Sequence, residues 1–142
     1  MSSLTFPDVN VWLALLMADH MHRDAAKRWW EADDSEVIGF CRLTQMAVLR
    51  LLTTASAMNG RPLSMKKAWT AYDHLYADQR VAFVPEPSDV ETAFRKGASS
   101  DNASPKLWAD AYLLAFARST GGQLVTFDRA LAQRARGSSL LG

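Results

Sequence analysis

LTFPDVNVWLAL, residues 4–15, carries one charge, Asp8, and its reading decides the fold. Leu4–Phe6 is a short apolar run that suits a strand. From Asn10 to about Ala18 the chain is apolar around the whole helical wheel, the pattern of a buried helix. Asp8 sits between them, just after Pro7. A strand running straight into a buried helix is the opening of a β–α unit. At that junction Asp8 has two readings, which do not exclude each other. It is a helix N-cap, worth about 1 kcal/mol, or a site residue at the C-terminal end of a strand.

The same alternation continues outward. A helix is expected from Met21 to about Asp33, with Ala25, Ala26, Trp29 and Trp30 inside. Glu36–Phe40 (EVIGF) reads as a strand. Thr44 to about Thr54 reads as a helix entered through Leu43 and capped by Thr44. Asn59–Pro62 is a loop signal. Ser64 caps a helix to about Ala77, and Val81–Val84 is a strand stopped by Pro85 and Pro87. Ser88–Glu91 resembles a capping box for a helix reaching Lys96. After the polar loop Gly97–Ser104, Ser104 and Pro105 open a helix to Ser119 that stops at Gly121-Gly122. Gln123–Phe127 is the clearest strand. Asp128 to about Ala135 is a short helix, and Ser139–Leu141 an edge strand. Strands of three to five residues alternating with longer helices predict a parallel, helix-covered α/β sheet. With 142 residues and no linker or repeat, one domain over 1–142 is expected.

The net charge of +1 offers no global attraction for nucleic acid, so any such binding falls to a local patch. RNA stays open as a substrate, because a bound cation offsets phosphate charge locally. The single cysteine, Cys41, lies in the apolar VIGFC stretch and has no internal partner. It reads as a core residue and fits a reducing, cytoplasmic compartment. There is no secretory leader pattern. The longest apolar run, VWLALLMA, is far short of the ~20 residues of a membrane span.

In a parallel sheet, ligands bind beyond the C-terminal strand ends. Asp8 follows the first strand and Asp128 follows QLVTF, so both face the same edge. Asp110 stands on KLWADAYLLAFA, a largely apolar helix. Its charge needs a partner there, either an arginine or a shared site with Asp8 and Asp128. Three converging carboxylates repel one another, and a hard divalent cation such as Mg2+ or Mn2+ removes that repulsion. Such a site suits phosphodiester chemistry.

The ordered segments FPDVNVWLAL, HMHRDAAKRWW, FCRLTQMAVLRLLT, PKLWADAYLLAFA and GGQLVTFDRAL resemble the PIN-domain ribonucleases, in particular the toxins of VapBC-type toxin–antitoxin pairs. The resemblance implies a three-layer α/β/α sandwich around a short, mostly parallel sheet. It implies Mg2+- or Mn2+-dependent hydrolysis of RNA through a metal-activated water. It further implies a homodimer and a small cognate antitoxin. The family's acids fall on Asp8, Asp110 and Asp128, as catalytic residues and metal ligands. Thr126 in TFD matches a position that hydrogen-bonds near the metal, and Asn10 a polar position beside the first acid. Gln45 stands where the family usually has a glutamate. Its amide still ligates or orients a water but adds no charge, which favours one tightly held ion.

Arg42 and Arg50 flank Gln45, and Arg42 is a candidate contact for substrate phosphate. His20 and His22 lack a Cys/His cluster and read as surface or capping residues. Trp29, Trp30 and Trp69 read as packing. Arg129, Arg134 and Arg136 make the C-terminal segment basic, by default a solvated face. Two other functions stay open. One is a catalytically silent PIN-like domain that binds RNA or protein, motivated by Gln45. The other is a haloacid-dehalogenase-type phosphohydrolase, whose strand-end motif FPDVNVW superficially resembles.

Overall fold

Strand β1 (Leu4–Pro7) lies at the centre of a five-stranded sheet, flanked by β2 (Val37–Phe40) and β4 (Gln123–Thr126). With β3 (Val81–Phe83) and β5 (Ser139–Leu140) at the edges, the order is β3-β2-β1-β4-β5, and every pairing is parallel. The computed structural model describes residues 3–135 and 137–142. Arg136, part of the basic C-terminal segment, lies outside them.

The strand order reverses between β1 and β4, and the helices divide accordingly. α1 (Val9–Leu16), α2 (Arg23–Ala32), α3 (Arg42–Leu52) and α4 (Met65–Leu75) cover one face. Their core joins Trp12, Leu13, Ile38, Phe40, Val48, Leu52 and Tyr72. α5 (Val90–Gly97), α6 (Leu107–Thr120) and α7 (Arg129–Arg134) cover the other. Here Phe6, Val90, Leu113, Phe116, Leu124 and Leu131 pack together. The result is the three-layer α/β/α sandwich expected, and its two cores are fed by alternate residues of the same strands.

Two glycines make room for the central ring. Phe6 pairs with Gly39 on β2's side, as the register of Thr5 with Ile38 dictates. A Cβ on Gly39 would stand 2.7 Å from Phe6 Cε1, and one on Gly122 would stand 2.8 Å from Phe6 Cε2. On the other face Trp12 stacks on Phe40 with ring centroids 3.9 Å apart.

The helix starts differ from the expected ones in several places, and α2 begins at Arg23 rather than Met21. α3 begins at Arg42, because Cys41 is its cap and Thr44 closes the box from the third position, with Cys41 N donating to Thr44 Oγ1 at 3.1 Å. The Ser88–Glu91 box does not form. α5 starts at Val90 after Asp89 without a side-chain cap, and Glu91 pairs with Arg95 one turn on. α6 starts at Leu107 rather than Pro105, with Ser104 accepting the first turn's bond through its carbonyl. Ser64 does cap α4, and Gly121, at φ 72°, ends α6 in the left-handed region as its sequence suggested.

Candidate active site

The crevice where the strand order reverses lies at the C-terminal ends of β1 and β4, and its first residue is Asp8. The Asp8 amide donates to Val125 O at 2.8 Å, which extends the β1–β4 pairing into the turn and fixes the backbone. The side chain caps α1: Oδ1 accepts from Val9 N at 2.7 Å. Oδ2 accepts from Thr126 Oγ1 at 3.1 Å. The cap reading of this residue holds, and its place is the strand end expected for it.

Thr126, fully buried at the end of β4, links two acids. Its hydroxyl donates to Asp8 and accepts from Asp128 N at 2.9 Å. A hydroxyl has one hydrogen and two lone pairs, so this geometry assigns the hydrogen to the carboxylate. Asp128 in turn caps α7, its Oδ1 accepting from Leu131 N at 3.1 Å. Beside it Phe127 stacks on His22 with centroids 4.2 Å apart, which places His22 in an aromatic packing role.

Asp110 arrives from the opposite layer on the first turn of α6. The sequence presents this helix as mostly buried. In the structure its first turn is open, with Leu107 and Trp108 exposed, and burial begins at Ala111. Asp110 is half-buried at that boundary. Among the described residues no Lys, Arg or His forms an ion pair with it.

Two of the three carboxylates are shifted by their surroundings. Burial pushes Asp8 above the usual carboxylate range, and the charges of Asp110 and Asp128 push the same way, against the bonds from Val9 and Thr126. Burial, then the charge of Asp128, raises Asp110, with Arg134 opposing. Burial leads in both cases and a neighbouring carboxylate adds to it, the setting in which a bound cation would favour the ionised acids.

The donors at this place are all oxygen, which suits a hard cation. Among the described residues no three acidic, His or Cys side chains close around a single point. Mg2+ is commonly held by one or two carboxylates with water and substrate phosphate completing the shell. A set of aspartates alone fits that ion better than Zn2+, which favours His and Cys donors, or Ca2+, which takes six to eight oxygens.

Gln45 and Arg42 stand one strand away, on α3 behind β2. Gln45 is buried, and its hydrogen bonds run to Arg42 and Tyr72 rather than to any of the three aspartates. Arg42 also lies over the Phe83 ring, 4.5 Å from its centroid. Asn10 is exposed on the first turn of α1. The sequence reading did not single out Tyr72, Tyr76 or Phe83. The tyrosines' only signal was a pair four residues apart at the end of α4, which also describes ordinary packing, and Phe83 had only its place in an apolar strand.

The PIN domain family model matches residues 5–137. Ribonuclease VapC41 of Mycobacterium tuberculosis is 40% identical over 131 residues, covering 89% of this chain and 90% of its own. Ribonuclease VapC29 of the same species is 35% identical over 129 residues, covering 88% and 86%. Among solved structures, M. tuberculosis VapC20, a sarcin–ricin loop cleaving toxin, superposes with a TM-score of 0.65 at 21% identity, over 92% of this chain and 94% of that one. VapBC2 from Rickettsia felis, bound to a DNA fragment from its promoter, gives 0.67 at 9% identity over 96% of each. The family model spans nearly the whole chain and the two VapC relatives cover most of it, so this chain belongs to the PIN domain family.

Proposed function

We propose that this protein is a metal-dependent endoribonuclease and the toxin of a toxin–antitoxin pair. The observation that carries this is the placement of Asp8 and Asp128 at the ends of the paired strands β1 and β4, tied together through Thr126, in a chain 40% identical to a VapC ribonuclease. In this reading Asp8, Asp110 and Asp128 hold Mg2+ or Mn2+. When bound, the ion supplies charge neutralisation at the scissile phosphate and a more acidic water. Thr126 orients Asp8 and favours its ionised form. Asp128, with its backbone tied to Thr126 and to α7, presents its remaining carboxylate capacity without moving. Arg42 meets a phosphate of the RNA chain, and exposed Asn10 lies beside Asp8 toward the substrate.

The solved neighbours include VapBC complexes, which supports a small cognate antitoxin as partner. Exposed Met46 on α3, with Met65 and Trp69 on α4, supports a homodimer, since apolar side chains on two packed helices favour cover. No helix among the described residues is long and apolar enough to cross a membrane. With Cys41 buried and unpaired, a cytoplasmic site of action completes the reading.

The test uses chain freed of any co-purifying small partner, incubated with RNA in Mg2+, Mn2+ or EDTA beside Asp8→Asn. Cutting that requires the metal and drops at least ~100-fold in Asp8→Asn is expected. Cutting in EDTA, or hydrolysis of small phosphate esters but not RNA, contradicts the proposal. Light scattering on the same preparation should give twice the mass of one chain; a monomer at all concentrations removes the homodimer.

A further inference from the structure

We infer that Gln45 is a positioning residue for Arg42, holding its guanidinium in place without neutralising it so that Arg42 binds a substrate phosphate on the sheet edge that carries Asp8. The inference rests on the ribonuclease reading for the identity of the anion.

The orientation of the Gln45 amide is fixed by its neighbours. Arg42 Nη1 lies 2.6 Å from Gln45 Oε1. Arginine has no acceptor, so the oxygen must face it. That turns Nε2 toward the Tyr72 hydroxyl oxygen at 3.2 Å, and Tyr72 is hydrogen-bonded onward to Tyr76. Gln45 is 8% exposed and both ends of its amide are used. Phe83 supports the guanidinium from the side, at 4.5 Å from ring centroid to carbon. Arg42 itself is exposed and forms no ion pair among the described residues. Its remaining N–H groups therefore face solvent from a rigid seat.

That seat is at the correct edge. Leu4 pairs with Val37 and Thr5 with Ile38, so the same register carried forward sets Asp8 opposite Cys41, the residue before Arg42. Neighbouring strands are about 4.8 Å apart, which puts the start of α3 next along the edge from the first acid, with the guanidinium itself turned toward Phe83 on β3. A glutamate at position 45 would form a charge-assisted pair with Arg42 at this short distance. It would cancel the charge that a phosphate needs. A neutral acceptor orients the fork and leaves its charge available. The amide also donates to Tyr72, which a carboxylate cannot do.

The test measures binding of a fluorescent single-stranded RNA in EDTA, where no metal-dependent cutting occurs, and steady-state cleavage in Mg2+. Gln45→Glu and Arg42→Ala should each weaken binding about tenfold, as loss of one charged hydrogen-bonded contact does. Each should lower the slope of log affinity against log salt by about 0.7, one phosphate contact on a single strand. The double variant should bind like Arg42→Ala alone, because both remove one interaction. In cleavage the loss should fall on KM more than on kcat. If Gln45→Glu does not fold, Gln45→Met, which keeps the volume and removes the acceptor, carries the same expectation. Gln45→Glu that binds RNA as well as the native chain, or cuts faster at unchanged KM, overturns the inference. So does Arg42→Ala with an unchanged salt slope, or a native chain that binds no RNA. Native RNA binding that depends on Arg42 and Gln45 without any cutting would sustain this inference while removing the ribonuclease reading. Normal cutting indifferent to both residues would do the reverse.

Discussion

Thr126 shows how much one buried hydroxyl does at this site. It donates to Asp8 and accepts from Asp128 N, so it ties the carboxylate of β1 to the turn after β4. The bond to Asp8 favours the ionised acid, against the burial that raises it. Thr126→Val keeps the shape and removes both bonds, at a cost of about 2 kcal/mol. It also lets Asp8 rise further, so the acid limb of the pH–rate profile should move to higher pH. Thr126→Ser should restore it. An acid limb unchanged in Thr126→Val would show that this hydroxyl does not govern Asp8. The importance of this position was not legible in its local sequence. A threonine at a strand end is ordinary, and only the family resemblance pointed to it. Asp8 was legible as a cap and as a strand-end residue, because both are local properties.

At the scale of elements, the strands and helices were read in order because each has its own apolar period and its own stop. The helix starts were misread where the deciding bond is made by an unexpected residue. Cys41 displaced Thr44 as the cap of α3, since Phe40 ends its strand one residue earlier and leaves Cys41 extended at φ −107°, ψ 173°. The apparent box at Ser88 and Glu91 lost to an i,i+4 pair of Glu91 with Arg95. Close packing was equally hidden. Gly39 in EVIGF reads as a weak strand residue, yet the Phe6 ring needs its missing Cβ. Gly39→Ala should cost about 1–3 kcal/mol, as overpacking does, lowering the urea midpoint. Phe6→Leu in the same chain should recover part of the loss. An unchanged midpoint in Gly39→Ala would mean that the ring shifts freely and that the two glycines do not set its place.

For the molecule as a whole, the order β3-β2-β1-β4-β5 explains why residues 8, 110 and 128, far apart in sequence, act on one another. The reversal between β1 and β4 opens the crevice, and the crossing to the second layer brings α6 over it. The alternation of elements predicted the sheet edge on which Asp8 and Asp128 fall. It did not predict that the first turn of α6 would be open, nor that Gln45 would turn toward Arg42 and Tyr72. Those depend on how one layer slides over another, which no local pattern records. The three-carboxylate crevice also makes a demand on stability. Asp8 and Asp110 are raised above their unfolded values, so their favourable contribution is complete below about pH 4 and is lost as pH rises through their folded values. A cation that binds the ionised acids should return that stability by mass action.

The most direct measurement is therefore thermal unfolding of the metal-free chain from pH 4 to pH 8, with and without Mn2+, beside Asp110→Asn. The native chain should lose stability relative to Asp110→Asn as pH rises, and at pH 8 saturating Mn2+ should raise its Tm by about 4 °C or more while leaving the variant nearly unmoved. Equal pH dependence of the two proteins, with equal Mn2+ shifts, would contradict a shared cation site at Asp8, Asp110 and Asp128.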